Sequence, residues 1–145
     1  MNTRRLGKTG LMVSEIGFGG EWLERHPKDE SIELIHYASS MGINILDCWM
    51  ADPKSRDIIG KGIKENRSNW FIQGHIGSTW KDEQYFRTRD MKYVRPAFEG
   101  LLKRLQTDYI DLGMIHYVDS EEEWEQIQHS DYMDYVMELK NNGII

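Results

Sequence analysis

An α/β protein built from strand–helix units in series on a parallel sheet is the fold class this sequence predicts. Three observations carry the prediction. Short β-rich apolar runs alternate with segments whose apolar residues recur at helical spacing. No internal repeat, low-complexity tract or linker interrupts that alternation, so residues 1–145 read as one domain. And the run Asp108-Tyr-Ile-Asp-Leu-Gly-Met-Ile-His116 ends an apolar stretch abruptly in a histidine, as where a parallel strand delivers a polar side chain to the mouth of a barrel. Serial units of this kind imply right-handed crossovers, which doubly wound and barrel arrangements both satisfy.

The elements follow in order. Arg4-Arg5-Leu6 and Leu11-Met12-Val13, joined by Gly7-Lys8-Thr9-Gly10, read as a small hairpin. Glu15 to Gly20 reads as a first core strand whose glycines permit close backbone approach. Asp29 to Met41 is helical, with Leu34, Ile35, Ala38 and Met41 on one face and Gly42 closing it. Ile43 to Asp47 is a second strand, and the next helix carries Ile58, Ile59 and Ile63. Asp52 before Pro53 suits an N-cap with proline at the first helical position. Trp70 to His75 is a third strand. The stretch from Gly77 to Arg89, polar but containing Trp80, Tyr85 and Phe86, reads as an irregular loop of the length used for lids. A helix over roughly Asp90 to Gln106 turns Val94, Phe98, Leu101, Leu102 and Leu105 to the core, and Pro96 implies a kink or a later start. Tyr109 to His116 is the fourth strand. Ser120 with Glu121-Glu122-Glu123 reads as a capping box and a solvated acidic turn, and a last helix carries Tyr132, Val136 and Leu139 to Asn142-Gly143.

Composition narrows the function classes. With 39% hydrophobic and 29% charged residues the chain resembles an ordinary globular protein. A formal net charge of −6 and the lack of a Lys/Arg-rich block argue against nucleic acid as a partner. No apolar run approaches a membrane span, and Met1-Asn-Thr-Arg-Arg is not followed by a signal-type apolar region. Cys48 is the one cysteine, which excludes an internal disulfide framework and any all-cysteine metal site. A cytoplasmic protein is the expectation, with Cys48 a small buried hydrophobe.

Three segments carry a family resemblance: Leu6-Gly-Lys-Thr-Gly-Leu-Met-Val-Ser14, Gly42-Ile-Asn-Ile-Leu-Asp47 and Leu102-Lys-Arg-Leu-Gln-Thr-Asp-Tyr-Ile-Asp-Leu-Gly-Met-Ile-His116. In order and spacing they resemble signatures of the aldo-keto reductases, over nearly the whole chain. The resemblance implies a (β/α)8 TIM barrel of which residues 1–145 correspond to the first four units, a half barrel with an N-terminal hairpin cap, truncated where a fifth strand would begin at Gly143-Ile-Ile145. A subgroup with an atypical catalytic set and a ferredoxin-like iron–sulfur tail is also similar, though no cluster ligands lie within this chain.

The same resemblance implies the chemistry: reduction of small-molecule carbonyls, or oxidation of alcohols, with NADP(H) and an Asp–Tyr–Lys–His constellation. Asp47 matches the aspartate and His116 the histidine. The lysine position falls on His75, and the tyrosine position falls near Asp52 in a segment, Cys48 to Arg56, that contains no tyrosine. Asp47, His75 and His116 are therefore the expected catalytic residues. Gly20, Glu21 and Asp47 are the expected contacts to the nicotinamide ribose side of the cofactor, most of whose site the family builds from its second half. Trp22, Trp49, Trp80 and Tyr117 sit beside strand ends and are expected to wall a substrate pocket. A metal site is not expected, although two histidines and a carboxylate at one mouth form a possible ligand set.

The inward sheet face would carry Ile43, Ile45, Phe71, Leu112 and Met114, so self-association or pairing with a missing C-terminal half is expected. Three functions follow from different classes. The first is an oxidoreductase of this family, inactive as the 145-residue piece alone. The second is a catalytically silent barrel used for binding or assembly. The third is a metal-dependent enzyme using Asp47, His75 and His116.

Overall fold

The computed structural model describes all residues 1–145. A hairpin of β1 (Thr3–Arg5) and β2 (Met12–Ser14) opens the chain, antiparallel as expected. β3 (Phe18–Gly19), β4 (Ile45–Cys48), β5 (Phe71–Ile76) and β8 (Leu112–Ile115) then form one parallel sheet in that order. The crossovers are α1 (Lys28–Ser40), α2 (Pro53–Ile63) and α3 (Met91–Leu105), followed after β8 by α4 (Glu121–Gln128) and α5 (Asp131–Asn141). The sheet is open, with β3 and β8 at its edges. The approach to β8 gains one more neighbour, since the Ile110 N–H donates to the Ile144 carbonyl at 2.9 Å.

Local chemistry explains the helix ends. Asp52 accepts from the N–H groups of Lys54 and Ser55 at 2.8 and 2.9 Å, with Pro53 at the first helical position. Gly42 has φ +83°, and the adjoining amides return to the carbonyls of Ser39 and Ala38, closing α1. Ser120 accepts from Glu123 N–H at 3.0 Å, while the Glu123 carboxylate takes the Asp119 N–H rather than that of Ser120.

Three expectations are corrected. Leu34 and Met41 are half exposed; α1 buries Ser31, Ile35 and Ala38, a narrower stripe that leaves Leu34 and Met41 beyond its edge, about 40° and 60° past Ala38. α3 does not start late: Asp90 caps it through Lys92 N–H at 2.9 Å, and Pro96 lies inside the continuous helix. Most consequentially, the stretch after Gly77 is not an irregular loop. It is a hairpin of β6 (Ser78–Lys81) and β7 (Gln84–Arg87), whose Asp82 and Glu83 both have positive φ, 50° and 60°, as a two-residue type I′ turn demands.

The core lies between the sheet and its helices. Leu46, Cys48, Ile72 and Ile76 meet Ile59, Phe98, Leu101, Leu105, Tyr132 and Val136 in one cluster. The opposite face, carrying Ile45, Phe71, Leu112 and Met114, is partly exposed.

Candidate active site

The C-terminal ends of the parallel strands bring the polar residues together. Asp47 on β4, His75 on β5 and His116 just past β8 point to the uncovered side of the sheet because each lies an even number of residues from its strand's other partly exposed positions. His75 Nε2 sits 3.0 Å from Asp47 Oδ1, and His75 Nδ1 sits 2.8 Å from His116 Nδ1. With Glu21, Trp49 and Tyr117 these three line an open cleft of about 360 Å³. The three residues expected from the sequence to be catalytic are thus joined in one run through His75.

Gln73, two residues before His75 on the same face, donates from Nε2 to Asp47 Oδ1 at 2.9 Å. Sequence reasoning missed it, although its place in the Phe71–Gln73–His75 alternation was the available signal. Tyr85 was missed for another reason. It arrives on β7 and places its hydroxyl 2.6 Å from His116 Nε2, but an Asp-Glu turn gives little hairpin signal, since such turns are normally marked by asparagine or glycine.

His116 is enclosed. Only 2% of it is exposed; the Trp49 ring stacks on its imidazole, 14° from parallel, and Tyr85 and Tyr117 meet it edge-on. Burial, then the nearby His75, Arg89 and Arg87, lower its pKa from 6.5 to about 4, so the ring is neutral at neutral pH. Burial also raises the Tyr85 phenol. The hairpin that covers His116 is itself tied down. Arg87 forms 2.6 Å ion pairs with Asp119 and Glu123, and Arg89 donates to the carbonyls of His116 and Tyr117. Gly77, at φ +98°, leaves room for Arg89: a Cβ there would come within 2.6 Å of the guanidinium.

The other expected residues divide. Gly20 is buried with its N–H on the Asp47 carbonyl at 2.9 Å, and a Cβ there would strike Ile59 and that carbonyl. Glu21 accepts from Trp49 Nε1 at 3.2 Å, which fixes the indole over the cleft. Trp22 and Trp80 are not brought to the cleft. Trp22 lies on the surface under the Arg25 guanidinium, 3.2 Å from its ring centroid, and Trp80 faces a separate groove with Ala51, Pro53 and Arg56. Asp52, where the family resemblance would place a tyrosine, is occupied as the α2 cap. Cys48 is buried on the helix-covered side and its thiol is pushed up to about 11.

Glu21 and Asp47 offer carboxylate acceptors beside the Trp49 ring, the chemistry that the hydroxyl groups of a nicotinamide ribose would need. Phosphate does not fit: the lining contains two carboxylates and no lysine or arginine. Nor do the ring nitrogens converge on a common point. They engage one another and Asp47, and no group of three or more His, Cys, Asp or Glu side chains is arranged to hold a metal ion. No helix is long and apolar enough to cross a membrane.

Comparison with known proteins agrees with this architecture. Residues 15–145 match the family model described as the aldo/keto reductase family. The chain is 30% identical over 149 aligned residues to the uncharacterized oxidoreductase YqkF of Bacillus subtilis, covering 100% of this chain and 47% of that protein. It is 34% identical over 128 residues to the aldo-keto reductase YhdN of the same organism, covering 82% and 39%. The crystal structure of PA4992 from Pseudomonas aeruginosa superposes with a TM-score of 0.84 at 30% identity, over 99% of this chain and 57% of that one. The chain therefore spans less than half the length of these two curated relatives.

Proposed function

Because the chain belongs to the aldo-keto reductase family, we propose that it supplies the catalytic cluster of an NADP-dependent oxidoreductase that interconverts small carbonyls and alcohols in the cytoplasm. The observation that carries the reading is the Asp47–His75–His116 cluster, hydrogen-bonded at 3.0 and 2.8 Å at the C-terminal ends of adjacent parallel strands. When bound, the nicotinamide supplies the hydride or accepts it. The chain's own residues do the rest. Glu21 and Asp47 receive ribose hydroxyls, and Trp49 forms an apolar wall. His75, itself held by His116, keeps the Asp47 carboxyl in place by hydrogen bonding, and the cluster stores or releases the proton that accompanies the hydride. The phosphates are held outside residues 1–145, and the apolar part of the open sheet face is covered by further strands or by a second copy of the sheet.

Titration of the 145-residue chain with NADPH and with reduced nicotinamide mononucleotide tests this. Both should quench Trp49 with similar, weak affinity, since the chain grips only the end they share. No response to either ligand refutes the reading. A dissociation constant for NADPH near 1 μM, about −8 kcal/mol, would contradict the placement of the phosphate site. A silent binding barrel is the second reading, supported by Asp52 serving as a helix cap where a proton-donating tyrosine would stand. Absence of NADPH-dependent turnover on any small aldehyde, despite nicotinamide binding, would favour it.

A further inference from the structure

Four side chains from four different segments form one unbroken run. Tyr85 Oη lies 2.6 Å from His116 Nε2, His116 Nδ1 lies 2.8 Å from His75 Nδ1, and His75 Nε2 lies 3.0 Å from Asp47 Oδ1. Donor and acceptor bookkeeping gives the run a direction. An ionised Asp47 can only accept, so His75 carries its proton on Nε2, and Gln73 donates to the same carboxylate oxygen. Neutral His75 is then an acceptor at Nδ1, so His116 carries its proton on Nδ1. His116 Nε2 is left as an acceptor and Tyr85 must donate to it. The charge on Asp47 thus dictates the tautomer of both histidines and the aim of a tyrosine hydroxyl three residues away along the run.

The two ends differ in surroundings. Asp47, with 35% of its side chain exposed, lines the cleft. Tyr85 is partly exposed on the hairpin and does not line it. Between them His116 is shut from water by Trp49, Tyr85 and Tyr117. The titratable and charged groups around it are Asp47, His75 and the guanidinium groups of Arg87 and Arg89; burial first, and then the neighbouring guanidinium groups, keep its ring neutral. A neutral imidazole with one N–H and one lone pair passes a proton through; an imidazolium with two N–H groups would block the run.

We propose that Tyr85, His116, His75 and Asp47 are a proton relay that links the rim of the hairpin to the substrate cleft. A proton binds Tyr85 Oη as the tyrosine's own proton passes to His116 Nε2. The Nδ1 proton of His116 passes to His75 Nδ1, and the Nε2 proton of His75 passes to Asp47 Oδ1. One proton enters at the rim and one appears on the Asp47 carboxyl, with no electrons exchanged. In carbonyl reduction Asp47 hands that proton to the substrate oxygen; in alcohol oxidation the sequence runs backwards. Only this last use rests on the oxidoreductase reading. Tyr85 is accordingly a relay residue at the outer end, held in place by the salt bridges of Arg87 to Asp119 and Glu123.

Long-range ¹H–¹⁵N correlation spectra of the ¹⁵N-histidine-labelled chain read the tautomers directly. At neutral pH the parent should show His75 protonated on Nε2 and His116 on Nδ1. In Asp47→Ala no carboxylate accepts from His75 Nε2, and both histidines should move together from the single tautomers of the parent toward a mixture of the two. In Tyr85→Phe both should stay as in the parent, because the direction is set from the aspartate. A parent His116 protonated on Nε2 overturns the relay. So does an Asp47→Ala protein in which His75 and His116 keep the single tautomers of the parent, or a Tyr85→Phe protein in which His75 inverts. The measurement needs no nicotinamide. A chain whose tautomers respond in this way yet which fails the cofactor titration therefore loses the oxidoreductase reading and keeps the relay, and the opposite pair of results does the reverse.

Discussion

The two faces of the parallel sheet are made by alternate residues of the same strands and behave as different materials. On the helix-covered face Leu46, Cys48, Ile72 and Ile76 are each at most 1% exposed, and Gly74 is glycine because a Cβ there would press within 2.8 Å of Ile110 and Leu101. The other face is partly exposed and changes character along the strands, from Ile45 and Phe71 at one end to Asp47, Gln73 and His75 at the other. The difference shows how a two-residue pleat separates stability from chemistry within a few ångströms. Packing occupies one set of positions, which frees the other to carry polar groups. Those groups persist beside a core because they satisfy one another: Asp47 accepts from Gln73 and His75, and His75 meets His116.

The comparison breaks most visibly on the packed face. Ile72→Ala should cost about 3–4 kcal/mol, read as a lowered urea midpoint, because the site is fully buried and surrounded. A loss below about 1 kcal/mol would mean that the helices do not grip the sheet there.

The mouth should respond to pH rather than to truncation. His116 has its folded pKa lowered to about 4 from 6.5, so the unfolded chain takes up the proton first as the solution is acidified. Its contribution is complete above 6.5 and is lost as pH falls from 6.5 toward 4, amounting to up to about 3 kcal/mol. Urea unfolding measured across that window should show the decline, and His116→Gln should flatten it. Equal slopes in the two proteins would place the titrating group elsewhere.

The smallest effect belongs to the open face. Met114 is 41% exposed on β8, opposite His75 in register, and Met114→Ala should change the midpoint by no more than about 0.5 kcal/mol. A loss comparable to that of Ile72→Ala would show that this face is covered in solution, and light scattering would then reveal an assembly.

How much of this was legible in the sequence depends on how far along the chain each interaction reaches. Strand–helix alternation, the Asp52 cap and the Gly42 terminus follow from periodicity and from side chain–backbone bonds spanning a few residues, so the local pattern was enough. Asp47, His75 and His116 could be named as candidate site residues because the family resemblance assigns catalytic positions to them, and parallel strands place their C-terminal ends at one mouth wherever their register lies. Which atoms would meet was out of reach. That Gln73 fixes Asp47, that Trp49 covers His116 and that Trp22 and Trp80 turn elsewhere depend on rotamers and loop paths set by the packed whole. Tyr85 is the sharpest case. By itself the sequence determined a parallel sheet with an acid and two histidines at one end. Only the tertiary structure decided that a tyrosine stands among them, because a hairpin with an unmarked turn folds back, and Arg87 and Arg89 pin it across a gap of about 30 residues that no local pattern records.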